Sequence, residues 1–208
     1  MKLYNAPMPA PNPRRVRMFL AEKGPAAVAA VELVDLAIMK REHKSSEHLA
    51  RNSAGQVPTL ELDDGTHISE TVSICRYLES LWPEPAMFGR TALEQAQIDM
   101  WTRRIELQAG GPVSMFWRHA HPFTAAVVVP QYKEFGESNR AHYDRALTWI
   151  DGEIAGRKFV AGSDYTIADI CLTTLVDFAD WIGLKVPDGL GNLKAWHGRV
   201  MERPSWKA

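Results

Sequence analysis

Three features of the 208-residue sequence are of residue types that do chemistry. The first is Glu70-Thr71, set just before an apolar stripe of helical spacing: Ile74, Cys75, Leu78, Leu81 and Trp82. Free N–H groups and the positive end of the dipole make a helix start an anion site. A threonine caps such an end, and a carboxylate beside it attracts a cation. The pair therefore suits a zwitterion, or serves simply as a cap. The second feature is the loop "NAPMPAPNPRRVR", Asn5 to Arg17, which leads into a helix. No Ser, Thr or Cys precedes Ser45, so this loop brings neither nucleophile nor aliphatic hydroxyl. Asn12 is expected to be the N-cap there, with Pro13 in the first turn. An N-cap asparagine accepts through its oxygen and keeps its NH2 group free to donate. Arg14 and Arg15 oppose the dipole at that end, which fits a nearby anion or side chains turned to solvent. The third feature is negative. Cys75 and Cys171 are the only cysteines, belong to no C-x-x-C pair and fall on apolar helix faces, so both are expected as reduced core thiols.

The bulk composition is that of a globular protein, 46% hydrophobic and 24% charged, with a formal net charge of -1. That total implies no attraction to nucleic acid or membrane. The N-terminus lacks the apolar core of a signal peptide and no run is long enough to span a bilayer, so cytoplasm is the expected compartment.

The elements that must hold these residues change type along the chain. "KLYNA" reads as a strand, followed by a helix carrying Val16, Phe19 and Leu20 on one face and ended by Gly24. Val28 to Val34 reads as a second, buried strand, and Met39 to Asn52 as loop plus short helix. Val57 to Leu62 and Thr66 to Ser69 flank Asp63-Asp64-Gly65, a hairpin signal. A helix from Thr71 to about Trp82 follows, and "WPEPAMFG" reads as a linker. Beyond it the pattern is helical. Leu93, Ala96, Met100 and Leu107 line one face of a long helix and Ile98, Trp101 and Ile105 another. Gly110-Gly111-Pro112 is expected to kink or break it. Tyr143, Ala146, Leu147, Ile150 and Ile154 stripe a second helix. Thr166 and Asp169 form a variant capping box with Tyr165 and Ile170 as staple, and Leu190, Leu193, His197, Val200 and Met201 form a last helix stopped by Pro204. Strands first and helices afterwards predict an α/β domain at 1–82, a linker at 83–89 and an all-α domain at 90–208.

"QVPTLELDDGTHISETVSICRYLE" (Gln56 to Glu79) resembles the glutathione-binding segment of the cytosolic glutathione transferases. "TIADICL" resembles the capping segment of their helical domain, and "GNLKAWHGRVMERPS" their last helix. The three lie in register along essentially the whole chain. The resemblance implies an α/β thioredoxin-like N-terminal domain plus an all-α C-terminal helical domain, assembled as a homodimer, with glutathione as co-substrate and no metal.

It also implies roles. Val57-Pro58, with Pro58 cis, would present the Val57 backbone to glutathione's cysteinyl unit as an added strand. Local sequence alone reads Pro58 as an ordinary opening of an edge strand. Glu70 would take the γ-glutamyl ammonium and Thr71 its carboxylate. Thr71 departs mildly from the family's usual Ser. His43, Lys44 and Gln56 match positions that reach the glycyl carboxylate or the peptide backbone, with Arg41 as a substitute and a solvated charged loop as the competing reading. The serine position of Ser-type relatives falls on Ala10, so the usual hydroxyl is missing and no Cys replaces it. Asn12 is then the leading donor to the thiol, with Tyr4 and Asn5 behind it. Met8, Ala10, Trp101, Arg104, Phe116 and Trp117 are expected to line the second-substrate site, although each is of a type more often found in a core or an interface. The activity implied is attack of glutathione thiolate on a small hydrophobic electrophile or an organic peroxide. The alternatives are a non-catalytic glutathione-binding or protein-interaction module, and a glutathione-dependent isomerase or etherase.

Overall fold

The computed structural model describes all 208 residues, which divide into two units. The first comprises residues 1–88 and 203–208, the second residues 89–202. The expected linker at 83–89 is thus not a free tether. Met87 and Phe88 are core residues of the first unit, and the last six residues return to it.

The first unit runs β1 (Lys2–Asn5), α1 (Pro11–Lys23), α2 (Pro25–Ala29), β2 (Glu32–Asp35), α3 (Ser46–Arg51), β3 (Thr59–Glu61), β4 (His67–Ser69) and α4 (Thr71–Leu81). The strands form one sheet in the order β2-β1-β3-β4. β2 lies parallel to β1, as a crossover through a helix requires, while β1–β3 and β3–β4 are antiparallel. This is the thioredoxin-like arrangement. Leu3, Val16, Phe19, Leu60, Ile74, Cys75 and Leu78 are buried and fill the space between sheet and helices.

One strand differs from expectation. Pro25 starts a helix through the alanine-rich run that was read as strand, so β2 begins only at Glu32. It is an edge strand, not a buried one, and Leu33 is 48% exposed.

The second unit is helical: α5 (Ala92–Arg104), α6 (Gly111–His119), α7 (Lys133–Glu153), α8 (Ile167–Trp181) and α9 (Gly191–Met201). The expected break at Gly110-Gly111-Pro112 does not occur. A π-helical turn, Ile105–Gly110, joins α5 to α6, and Pro112 lies in the first turn of α6. The π turn slips the hydrogen-bond ladder, so the donor that Pro112 lacks is absorbed without a break. The second unit is locked by Asp169. Its carboxylate accepts from the Thr166 N–H (2.9 Å) and hydroxyl (3.1 Å), the Val160 N–H (2.9 Å) and the Trp196 Nε1–H (2.8 Å). No helix of the chain is long and apolar enough to cross a membrane.

Candidate functional site

Strand register gathers the residues expected to bind glutathione. Thr59 pairs with both Tyr4 and Ser69, so the chain leaves β1, enters β3 and leaves β4 at one end of the sheet. Asn5 pairs with Asp35, so the segment after β2 leaves there too. The loop before α1, the turns at 38–44, Val57-Pro58 and Glu70-Thr71 therefore share that end.

At the start of α4, Glu70 has φ 67°, a left-handed conformation disfavoured for a residue with a Cβ. Its side chain makes no cap bond and is exposed. Thr71 is buried, and Arg15 Nη1 lies 3.4 Å from its hydroxyl oxygen. A carboxylate, a hydroxyl, a guanidinium and the first-turn N–H groups of α4 thus share one helix end. Arg15 was read from sequence as a charge opposing the dipole, fitting either a nearby anion or a side chain turned to solvent. The structure buries it against Thr71, and buries Arg14 with Nη2 donating 2.7 Å to the Trp206 carbonyl. Neither arginine is turned to solvent.

Across the same end, Val57 is half-buried and precedes a cis Pro58. His43 and Lys44 lie in a short turn, Glu42–Lys44, that packs on Gly55. A Cβ on Gly55 would stand 2.9 Å from the Lys44 side chain and 3.0 Å from the His43 carbonyl, and its φ is 57°, so this close approach needs glycine. Lys44 Nζ donates 2.9 Å to the Ala54 carbonyl. His43 Nδ1 is buried without a hydrogen-bond partner, and burial, reinforced by Lys44, pulls the ring's pKa below its ordinary value. Gln56 and Arg41 are exposed.

The loop before α1 departs from expectation. α1 starts at Pro11 with Ala10 as N-cap, so Asn12 is not the cap. The two prolines, Pro11 and Pro13, draw the helix start two residues earlier, because each fits the first turn. Asn12 is exposed in that turn, and it shares a helix face with Arg15 three residues on. Tyr4 and Asn5 are removed as thiol donors. The Tyr4 hydroxyl donates 2.7 Å to Glu61, and burial raises its pKa. Asn5 Nδ2 donates 2.5 Å to Asp35, while its Oδ1 accepts from Arg17 at 2.6 Å.

The residues expected for a second substrate do not behave as one set. Met8 is exposed and Ala10 half-buried in the first unit. In the second unit Trp101 and Phe116 are core residues, 2% and 4% exposed, and offer almost no surface to a ligand. Large rings in a helix stripe pack inward for the area they bury. Arg104 stands 5.0 Å from the Trp101 ring centre and 5.4 Å from that of Trp149, and lines an open groove of about 590 Å³ with Gln108, His142 and Arg145. Trp117 lies instead in a cluster of rings with His121, Phe123, Phe178 and Trp181. That cluster was missed because its members come from three separate segments with no shared period.

Residues 10–81 match the glutathione S-transferase N-terminal domain and residues 115–204 the glutathione S-transferase C-terminal domain. The chain is 38% identical to glutathione S-transferase 2 of Saccharomyces cerevisiae over 208 residues, covering 100% of this chain and 88% of that protein. Among solved structures, Gtt2 from S. cerevisiae superposes with a TM-score of 0.93 at 38% identity, covering 100% of this chain and 99% of that one. A glutathione S-transferase domain-containing protein from Marinobacter aquaeolei VT8 gives a TM-score of 0.93 at 32% identity, covering 99% and 100%. Fold and sequence agree, and the chain belongs to the glutathione S-transferase family.

Proposed function

We propose that the protein is a glutathione transferase that binds glutathione on its first unit and stabilises the thiolate for attack on a small hydrophobic electrophile or organic peroxide. The observation that carries the reading is the start of α4. Glu70 is held exposed at φ 67° and spends no bond on capping. A residue kept in a costly backbone conformation, exposed at a helix start, points to binding. Glu70 takes the γ-glutamyl ammonium. Thr71, the α4 N–H groups and Arg15 take the carboxylate. Val57 pairs with the cysteinyl unit, and His43, Lys44 and Gln56 lie on the glycyl side.

Asn12 is the donor to the sulfur in this reading. It is exposed in the first turn of α1, on the face that Arg15 shares, and Arg15 reaches Thr71. Its amide and the positive end of α1 both favour thiolate over thiol, a preorganised electrostatic effect. A free thiol with a pKa of about 8.5 is mostly protonated at neutral pH, so a lowered bound pKa is the signature of catalysis. The reading also includes assembly as a homodimer.

The alternative is a glutathione-binding module without turnover. It is favoured by one observation: Tyr4 and Asn5 are committed to Glu61 and Asp35, which leaves neither of them to meet the thiol. Ultraviolet absorbance of bound thiolate in wild type and Asn12→Ala decides. A bound pKa below that of free glutathione, raised again in Asn12→Ala, supports the enzyme with Asn12 in place. A lowered pKa unchanged by Asn12→Ala removes Asn12 but keeps the enzyme. A pKa no lower than that of free glutathione leaves the binding module. Retention on immobilised glutathione should be lost in Glu70→Ala, and a wild type that is not retained overturns both readings.

A further inference from the structure

Three buried side chains converge on one backbone oxygen beside the proposed glutathione site. The Gln56 carbonyl accepts from His48 Nε2 at 2.9 Å, Asn52 Nδ2 at 3.1 Å and the Thr59 hydroxyl at 3.3 Å. His48, Asn52 and Thr59 are 1%, 8% and 0% exposed. Gln56 itself is an exposed loop residue, yet its carbonyl oxygen is turned onto these buried donors. They are also tied to one another and to their own loop. Asn52 Nδ2 reaches Thr59 Oγ1 at 3.1 Å, and Asn52 Oδ1 accepts the Ala54 N–H at 3.1 Å. His48 Nε2 faces a carbonyl, so it carries the ring hydrogen. Nδ1 is bare, buried and without a partner. That arrangement spends the polarity of His48 on a single bond, to Gln56.

The consequence follows from the geometry of the amide. The Gln56–Val57 bond is not among the cis peptides, and in a planar trans peptide the C=O and N–H point in opposite directions. Holding the Gln56 oxygen inward on three buried donors turns the Val57 N–H outward. Val57 is half-buried, and its N–H enters no backbone ladder. A free amide donor held in one direction is what an extended peptide ligand needs in order to pair with the chain. We infer that His48, Asn52 and Thr59 are positioning residues, a clamp on the Gln56 carbonyl that aims the Val57 N–H at the peptide backbone of glutathione. The clamp rests on the reading that glutathione binds at Val57. It assigns a role to three residues that do not touch the ligand.

Loss of one clamp donor frees the peptide plane to rotate, so affinity falls while the chemistry at sulfur is unchanged. His48→Phe, which keeps the ring volume, and Asn52→Asp, which keeps the size but cannot donate, are each expected to raise the glutathione KM roughly tenfold, with kcat within about twofold of wild type. His48→Gln restores a donor and should recover most of the KM. If either polar-to-apolar or charged variant fails to fold, Thr59→Val decides, since it swaps one hydroxyl for a methyl at the same volume. The readout that a merely structural role would not move is the amide resonance of Val57 in nitrogen-15-labelled protein. Saturating glutathione should shift the Val57 and Thr71 amides in wild type. In the clamp variants it should shift Thr71 but Val57 much less. Equal Val57 shifts in wild type and variants overturn the clamp and leave glutathione binding standing. A wild type in which glutathione shifts neither amide overturns the binding reading itself.

Discussion

Arg15 Nη1 lies 3.4 Å from the hydroxyl oxygen of Thr71, so a buried guanidinium from α1 meets the first residue of α4. The contact adds a full positive charge to a helix end that already carries a partial one. A carboxylate bound there would gain a charge-assisted partner. Arg15→Met keeps most of the volume and removes the charge. We expect the Kd for glutathione, measured by calorimetry, to rise roughly tenfold, about 1.4 kcal/mol. A Kd within about twofold of wild type in a folded Arg15→Met protein would take Arg15 out of the site.

The pH dependence of the first unit should run through Glu61. The Tyr4 hydroxyl donates to its carboxylate at 2.7 Å, His67 lies 3.3 Å away, and Arg51 stacks over the Tyr4 ring at 4.4 Å. The Tyr4 bond first, then His67 and Lys2, hold the Glu61 carboxyl below its ordinary pKa. A depressed carboxyl pKa contributes stability that is present at neutral pH and is lost as pH falls through the folded-state value. Tyr4→Phe removes the leading cause, so Glu61 should titrate closer to its ordinary value, and the stability lost through this carboxyl on acidification should be smaller than in wild type. A carbon-13 titration of the Glu61 carboxyl checks this, and an unchanged midpoint in Tyr4→Phe would show that Tyr4 is not its cause.

How much of this was legible in the sequence depends on the range of the interaction. The hairpin at Asp63-Asp64-Gly65 and the α4 stripe through Ile74, Cys75 and Leu78 are set by neighbours a few residues apart and stand where the spacing put them, while Leu81 at the helix end is exposed. Asp169 was readable as a cap three residues after Thr166, but not as the acceptor for Trp196, which is 27 positions away. β2 was misread because alanine and valine alternate between helix and strand preferences, and only Pro25 settles the matter. Asn12 was misread as a cap because two prolines compete for one helix start. Arg15 on Thr71 and the three donors on Gln56 are tertiary contacts between polar residues, and no periodicity announces them.

Gly136 should be intolerant of a side chain although it sits inside a helix. A Cβ built there lies 2.6 Å from the Ala120 nitrogen and 2.7 Å from the His119 carbonyl carbon, both backbone atoms at the end of α6. Backbone cannot swing aside as a long side chain can. Gly136→Ala removes helix-opposing flexibility, worth about 1 kcal/mol in its favour. Overpacking against it costs about 1–3 kcal/mol. We expect net destabilisation of up to about 2 kcal/mol in urea unfolding. A stabilised Gly136→Ala would mean that α6 and α7 separate easily at this point.

The proposed homodimer makes its own prediction on α5 and the π-helical turn that follows it. Leu93, Met100 and Leu107 were read as one apolar face, and they are 67%, 39% and 69% exposed, whereas Ile98, Trp101 and Ile105 on the other face are buried. An apolar stripe repeated at helical spacing and left open to solvent is the kind of surface that a second chain covers. A carboxylate placed in each of two positions would have to be buried unpaired against its symmetry mate, which costs several kcal/mol. The double variant Leu93→Glu with Leu107→Glu should therefore sediment as a monomer at concentrations where wild type is a dimer. Its far-ultraviolet dichroism should be unchanged, because both side chains already face outward. A wild type that sediments as a monomer, or a double variant that stays dimeric, would remove this face from the assembly.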